Sequence, residues 1–454
     1  MQTIDLLLFY EHTARELDAV CVVKHLCETR HGLRVELAHQ PYGGPEALKR
    51  WNPRVVAVPF CYSQSVAHYP FLLDWPKATI FNLAWEQLFY QGNRSAKLPE
   101  GEFECRHVLH HAWGEFFART LEGQGVPRAN IFVNGHPAYM LYAEPYRRFF
   151  SSRAQLAQRH ALDPAKRWVF FPENYNWAFY APWKLAEVAA TGTPPEHIQA
   201  MVAFCQDSFG QVMEWCRRTA ARGGVEVIVR PRPATPISEF AAAVGRSVPE
   251  QPPSLRIIKD ESVREWILAS DVVISSYSTS LIEAAVAGKA SYMLEPIPIP
   301  PALHVEWHDQ AARLRTYAQF EAACLGHPEQ ASDQQLGQWA RGQMMAHGDA
   351  LSNLADHLGS LARQHRRGPN LGRRRLLAPK RPKWAPAWLA FELERIRGAR
   401  QRRRTQPPAA FYERDMMTAG ELAARSQAWG AVLAPAPAPS ASSAVALPQN
   451  LSAN

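Results

Sequence analysis

The sequence lacks several features that would assign it quickly. It has no G-x-x-x-x-G-K-[ST] loop: the Gly288-Lys289 pair has no upstream glycine and is followed by Ala290. No G-x-G-x-x-G follows any apolar run. These two absences argue against a P-loop enzyme and an ordinary dinucleotide oxidoreductase. No Asp-x-Asp pair occurs, so no obvious carboxylate pair holds a divalent ion on a nucleotide. There is no C-x-x-C either. The seven cysteines are odd in number and scattered, which reads as reduced thiols in a cytosolic protein. No apolar run reaches the length of about 18 residues that suggests a membrane-spanning helix. The opening MQTIDLLLFYEH has no basic stretch before its short apolar run, and reads as a first strand rather than a signal peptide.

What is present begins with charge. The 454 residues carry 50 Lys or Arg against 42 Asp or Glu, a formal charge of +8. Residues 363–404 alone hold 15 Lys or Arg and two acids, Glu392 and Glu394, a local net of +13. The remainder is mildly acidic at −5, which disfavours a broad basic nucleic-acid groove across the folded part. Apolar residues make up 47% of the chain, enough for two buried cores.

Short apolar runs alternate with helical spacing along two stretches. In 1–150 the strands are expected at 4–10, 33–39, 55–62, 78–85, 106–114 and 130–135, with helices at 13–29 and 115–122. In 166–330 the strands are expected at 167–173, 225–231, 255–260, 271–277 and 290–296. Helices at about 195–222, 263–269 and 280–288 lie between them. This pattern predicts α/β architecture: two doubly wound, Rossmann-like domains with parallel sheets, facing a cleft. A helical segment, 331–365, follows. Residues 366–454, with ten prolines and a low-complexity end, are expected to be a largely disordered basic tail.

The strongest chemical signal is DVVISSYSTSLIEAAVAGKASYMLEP (271–296). A buried strand ends in hydroxyls at Ser275, Ser276, Tyr277, Ser278, Thr279 and Ser280, and a helix starts at once. Free N–H groups at a helix start suit a phosphate, and Glu283 one turn inside can reach a ribose diol. Helix capping by Ser278 or Thr279 accounts for only one of these hydroxyls. In the first domain, Glu86 follows the strand ATIFNLAW, placed to deprotonate an acceptor hydroxyl. Its alternative is a structural glutamate paired with an arginine or a helix start. Glu11, at the end of the first strand, is its rival. His136, in NGHP, is expected to contact a phosphate or act as an acid, with Gly135 allowing close backbone approach. Of His110 and His111, in one strand, one is expected to face inward as a structural histidine. PENYNWAFY (172–180) either lines the cleft through Asn174 and Asn176 or packs on its own aromatics. His304 and His308 lack the order and the third ligand of a zinc site, so no metal is expected.

SDVVISSYSTSLIEAAVAGK resembles the donor-nucleotide segment of GT-B glycosyltransferase-like enzymes. These include the glycerophosphotransferases of teichoic acid synthesis, the polysialyltransferases and the UDP-N-acetylglucosamine 2-epimerases. FNLAWEQ (81–87), HHAWGEF (110–116) and IFVNGHPAYML (131–141) are similar to bacterial surface carbohydrate biosynthesis proteins of capsule or lipopolysaccharide. The resemblance covers about residues 1–330. VIVRPRPAT (227–235) resembles an Arg-Pro-His-Pro strand end, with Arg232 where the histidine would stand. Arginine keeps phosphate binding and removes any acid–base role of that histidine.

The resemblance implies a cytoplasmic, metal-independent, cofactor-free glycosyltransferase of GT-B type. Arg230, Arg232 and Ser276–Ser280 would hold the phosphate of a nucleotide-sugar donor, and Glu283 the ribose. Glu86 would serve a surface-polysaccharide or lipid-linked glycan acceptor. A CDP-alcohol glycerophosphotransferase, a UDP-sugar 2-epimerase and a non-catalytic membrane-bound assembly factor are the alternatives. Residues 380–404 place Trp388, Leu389, Leu393 and Ile396 on one helical face amid arginines. That pattern fits an anionic membrane surface, here the inner face of the cytoplasmic membrane, better than a solvated basic tail, a helix docked on the body or a nucleic-acid arm.

Overall fold

The computed structural model describes residues 1–39, 46–62, 75–90, 94, 97–190, 192–232, 235–248, 250–327, 334–365 and 417–434. Two six-stranded parallel sheets follow one another along the chain. The first contains β1 (Gln2–Tyr10), β2 (Val35–His39), β3 (Trp51–Val58), β4 (Thr79–Asn82), β5 (Val108–Ala112) and β6 (Ile131–Val133). Its spatial order is β2-β1-β3-β4-β5-β6. The second contains β7 (Arg167–Pro172), β8 (Val225–Arg230), β9 (Leu255–Ile257), β10 (Val272–Ser275), β11 (Ala290–Leu294) and β12 (Arg313–Leu314). Its order is β12-β11-β10-β7-β8-β9. The expected two-domain α/β fold is present, and β12 is a short edge strand that the sequence pattern did not announce.

The apolar runs have a physical reason. In β1, Leu6, Leu8 and Tyr10 enter one core while Ile4, Leu7 and Phe9 enter the core on the opposite face. A strand covered on both faces shows no apolar–polar alternation. The same burial corrects the expectation for the histidine pair: His110 and His111 are both fully buried. Burial of the imidazoles lowers each to about 4.

In each sheet the strand order reverses beside the first strand of the domain, between β1 and β3 and between β7 and β10. The carboxyl ends of strands at such a reversal open a crevice. Helices then position the site: α1 (Asp18–His31), α2 (Pro195–Ala221), α3 (Val263–Ala269) and α4 (Ser280–Val286). The last two match their expected starts. A capping box fixes the beginning of α3, where Ser262 Oγ accepts from the Glu265 amide and the Glu265 side chain accepts from the Ser262 amide.

The segment after the second sheet ties the domains together. Helix α5 (Gln335–Met344) packs on α4, and α6 (Ala350–Gln364) packs on α1. Between them the chain crosses the first domain closely. The His136 amide donates to the Met344 carbonyl at 2.7 Å. A Cβ on Gly114 would collide with the Gln343 carbonyl oxygen, and one on Gly135 (φ +108°) would lie 3.0 Å from that of Met344. Gly135 therefore admits the chain's own backbone.

The expectation of a largely disordered tail from 366 onward does not hold for 417–434. A helix, α7 (Ala419–Leu433), docks on α1. Its Trp429 is fully buried, stacks on Phe149 at 4.0 Å and donates Nε1–H to Asp18 at 2.8 Å. Arg425 forks onto the same carboxylate at 2.8 and 3.0 Å. Residues 380–404, the expected membrane segment, lie outside the described residues. Among the described residues, no helix is long and apolar enough to cross a membrane.

Candidate active site

A cavity of about 450 Å³ lies where the carboxyl edges of the two sheets meet. From the first domain Arg15, Trp85, Glu86, Lys97 and His136 line it; from the second, Asn174, Arg232, Arg264, Ser278–Ser280 and Glu283. Its size and position suit a small-molecule site between domains.

The second-domain wall is built at the strand reversal. Ser275 is buried and its hydroxyl donates to the Pro172 carbonyl, joining β10 to β7. Ser276 is also buried and lies outside the cavity lining. Tyr277, Ser278, Thr279 and Ser280 do line the cavity. Thr279 occupies the cap position of α4 without a side-chain cap bond, while Ser278 Oγ accepts from the Ser280 amide at 3.3 Å. Ser278 Oγ also donates to Ser280 Oγ at 3.2 Å, and the Tyr277 hydroxyl meets Cys205 Sγ at 3.5 Å. Glu283 lines the cavity and accepts from the Tyr142 hydroxyl at 2.6 Å.

The two strand-end arginines part company. Arg230 is 6% exposed, lies outside the cavity lining, and donates from Nη2 to the Glu261 carbonyl at 3.0 Å. It secures the turn after β9. Arg232 lines the cavity and makes no ion pair among the described residues. Beside it Glu173 is buried, and that burial pushes its carboxyl up to about 7, against the opposing pull of the Arg232 charge. The Tyr175 amide donates to Glu173. Of the two expectations for the loop 172–180, lining the cleft holds for Asn174, Asn176 and Trp177, which reach the cavity.

The first-domain wall is an ion cluster. After β1 a single π-helical turn, Thr13–Leu17, leads into α1 and turns Arg15 toward the cavity. Glu16 is fully buried; its Oε1 accepts from Arg15 Nε and Nη2 at 3.0 and 2.6 Å, and its Oε2 from the Glu11 amide at 2.7 Å. Burial raises the Glu16 carboxyl and outweighs the Arg15 charge that lowers it. Glu11 stands 3.5 Å from Arg15 behind this turn, outside the lining, so the structure does not bring it to the site. Glu86 accepts from Arg15 Nη1 at 2.6 Å and also from Lys97. Burial lowers Lys97 to about 8, with the Arg15 charge acting the same way. Glu86 is aimed by a bend at Ala84, held at φ +47°, whose amide donates to Asn82 Oδ1 at 3.0 Å. A non-glycine residue there stores strain, a feature that clusters at functional sites.

His136 lines the cavity 5% exposed, stacked on Tyr139 at 3.7 Å and against Trp113 at 4.0 Å. Burial holds its pKa well below 6.5, and His111, Arg264 and Arg15 push it the same way. A neutral imidazole suits a hydrogen-bonding group.

Sequence reading missed Arg15, Lys97, Glu173 and Arg264. Arg264 had a readable signal, since Ser262-x-x-Glu265 announces the first turn that carries it. Arg15 had none: a π-turn cannot be told from an α-helix by spacing.

No family model matches the chain, and no curated protein does. Solved structures do. The wall teichoic acid polymerase TagF, in a variant form soaked with CDPG, aligns with a TM-score of 0.51 and 8% identity, over 79% of this chain and 89% of TagF. TagF without a substitution aligns at 0.50 and 9% identity, over 79% and 88%. The S. aureus MnaA–UDP structure reaches 0.49 at 10% identity, over 79% and 96%. At these identities the likeness is one of fold, and the chain has a GT-B-like fold.

Proposed function

We propose that the chain is a nucleotide-sugar-dependent glycosyltransferase, metal-independent, acting on a surface-polysaccharide or lipid-linked glycan acceptor. The observation that carries this reading is the charge of the cavity lining. Four cations, Arg15, Lys97, Arg232 and Arg264, and two carboxylates, Glu86 and Glu283, line the cavity beside a run of hydroxyls; Glu86 and the buried Glu16 already pair Arg15 and Lys97, which leaves Arg232 and Arg264 as the cations open to a ligand. Such a lining suits a ligand with about two negative charges, as the diphosphate diester of a nucleotide-sugar has.

In this reading Arg232 and the Tyr277–Ser280 turn hold the donor phosphates and stabilise the leaving phosphate as the glycosidic bond breaks. Glu283, oriented by Tyr142, takes the ribose. Glu86 accepts the proton of the acceptor hydroxyl in an inverting transfer. Arg15 and Lys97 fix its direction, and neutral His136 stands as a second hydrogen-bonding group. The basic segment 380–404 brings the enzyme to the inner face of the cytoplasmic membrane, where a lipid-linked acceptor resides.

The test is product analysis with purified full-length protein, a panel of nucleotide-sugars and membrane-derived acceptor. Transfer with release of the nucleotide supports the proposal. A changed sugar in the absence of acceptor makes it an epimerase, and CMP release with an alcohol phosphate transferred makes it a phosphotransferase.

A further inference from the structure

Arg264 is a buried cation whose donors are left over. It sits in the first turn of α3 and is 3% exposed, yet it lines the cavity. Its Nε and Nη1 have no hydrogen-bond partner among the described residues. The nearest carboxylates are Asp18 at 3.7 Å and Glu283 at 4.0 Å, both beyond hydrogen-bonding distance. Each is already engaged. Asp18 receives the Arg425 fork and the Trp429 indole, and Glu283 receives the Tyr142 hydroxyl. The rings of Tyr142 and Phe150 flank the guanidinium at 5.4 and 5.5 Å. The uncompensated donors of a buried guanidinium destabilise the unliganded fold. Retaining such a group at a cavity wall makes sense when a ligand supplies the missing acceptor.

We infer that Arg264 is a ligand-binding residue that receives an oxyanion of the substrate, a phosphate oxygen, on the same second-domain wall as Arg232. This rests on the proposed reading of the cleft as a nucleotide-sugar site. It adds an anion contact to that site and assigns α7 a part in it. Arg425 and Trp429 hold Asp18 through three hydrogen bonds, with its carboxylate 3.7 Å from Arg264, so the guanidinium stays available to the ligand. The chemistry is bidentate recognition of an oxyanion by planar N–H donors, which a lysine reproduces poorly.

The test uses full-length protein, thermal unfolding and calorimetry. The probes are inorganic pyrophosphate, UDP, CDP and, for a carboxylate from an acceptor sugar, glucuronate. In Arg264→Met the unliganded melting temperature is expected to stay level or rise, while the dissociation constant for pyrophosphate or the nucleoside diphosphates rises at least tenfold. Arg264→Lys keeps the charge and most of the stem, so it is read even where the methionine variant fails to fold. Its expected loss is severalfold. Unchanged affinity in Arg264→Lys, or a lower melting temperature with unchanged affinity in Arg264→Met, overturns the inference in favour of a brace between α1 and α3. A loss confined to glucuronate overturns the phosphate assignment. Failure of the nucleotide reading looks different: pyrophosphate binds and depends on Arg264, but no nucleotide adds to it. Equal nucleotide binding by wild type and both variants leaves that reading standing and removes this one.

Discussion

The two walls of the cleft handle charge in opposite ways. On the first-domain wall Arg15 serves Glu16 and Glu86, and Lys97 serves Glu86, so each of these charges has an internal partner. On the second-domain wall, among the described residues, Arg232 has no ion pair and Arg264 has unbonded donors. A paired wall holds a group in one orientation, which suits proton transfer. A wall with spare donors waits for an anion, which suits binding. In the proposed reading, chemistry therefore falls to the first domain and donor recognition to the second.

The most damaging change is expected behind the first wall. Trp429→Ala removes a fully buried indole and one of the three bonds to Asp18, and should lower stability by about 3–5 kcal/mol. Denaturant unfolding measures it, and a loss below about 1 kcal/mol would mean α7 is not part of the fold. Next comes the paired carboxylate. Glu86→Gln should lower kcat at least about a hundredfold while nucleotide affinity holds, as loss of a general base does. Steady-state kinetics beside calorimetry separates the two, and an affinity loss as large as the kcat loss would erase the division between the walls.

On the second wall Arg232→Ala should weaken nucleotide binding about tenfold or more, a change of about 1.4 kcal/mol at least. Arg230→Ala should instead lower the melting temperature through its lost bond to Glu261 and leave most of the affinity. If both variants behave alike, the separation of the two arginines is wrong. The smallest effect concerns pH. The Glu173 carboxyl sits at about 7 in the folded chain against an ordinary 4.5, so folding takes up a proton between those values. The stability this group contributes is present below its unfolded pKa and is lost as pH rises through about 7. Melting temperatures measured from about pH 5 to 8 should fall less steeply in Glu173→Gln than in wild type.

How far the sequence carried depends on range. Strands buried on both faces write themselves as unbroken apolar runs, so both sheets were readable, as were the starts of α3 and α4. The turn at Tyr277–Ser280 was readable because strand, hydroxyls and helix are contiguous. What failed was long-range. Whether Arg230 or Arg232 faces the cleft depends on the turn at Glu261, 31 residues away from Arg230. That Glu86 meets Arg15 depends on contacts spanning 71 residues. Helix α7 follows a long basic and proline-rich stretch that lies outside the described residues, and only its packing against Asp18 reveals its purpose. The burial of His136 was not legible because spacing places a histidine in a turn without telling what packs around it.

Binding of a nucleoside diphosphate to the second-domain wall through Arg232 is the step on which the proposed chemistry depends. Calorimetric titration of UDP, CDP, GDP and CMP into the full-length protein and its Arg232→Ala variant reads it without any acceptor. At least one diphosphate is expected to bind the wild type, and Arg232→Ala to weaken it tenfold or more, about 1.4 kcal/mol. No heat with any of the four, or equal binding by both proteins, contradicts it.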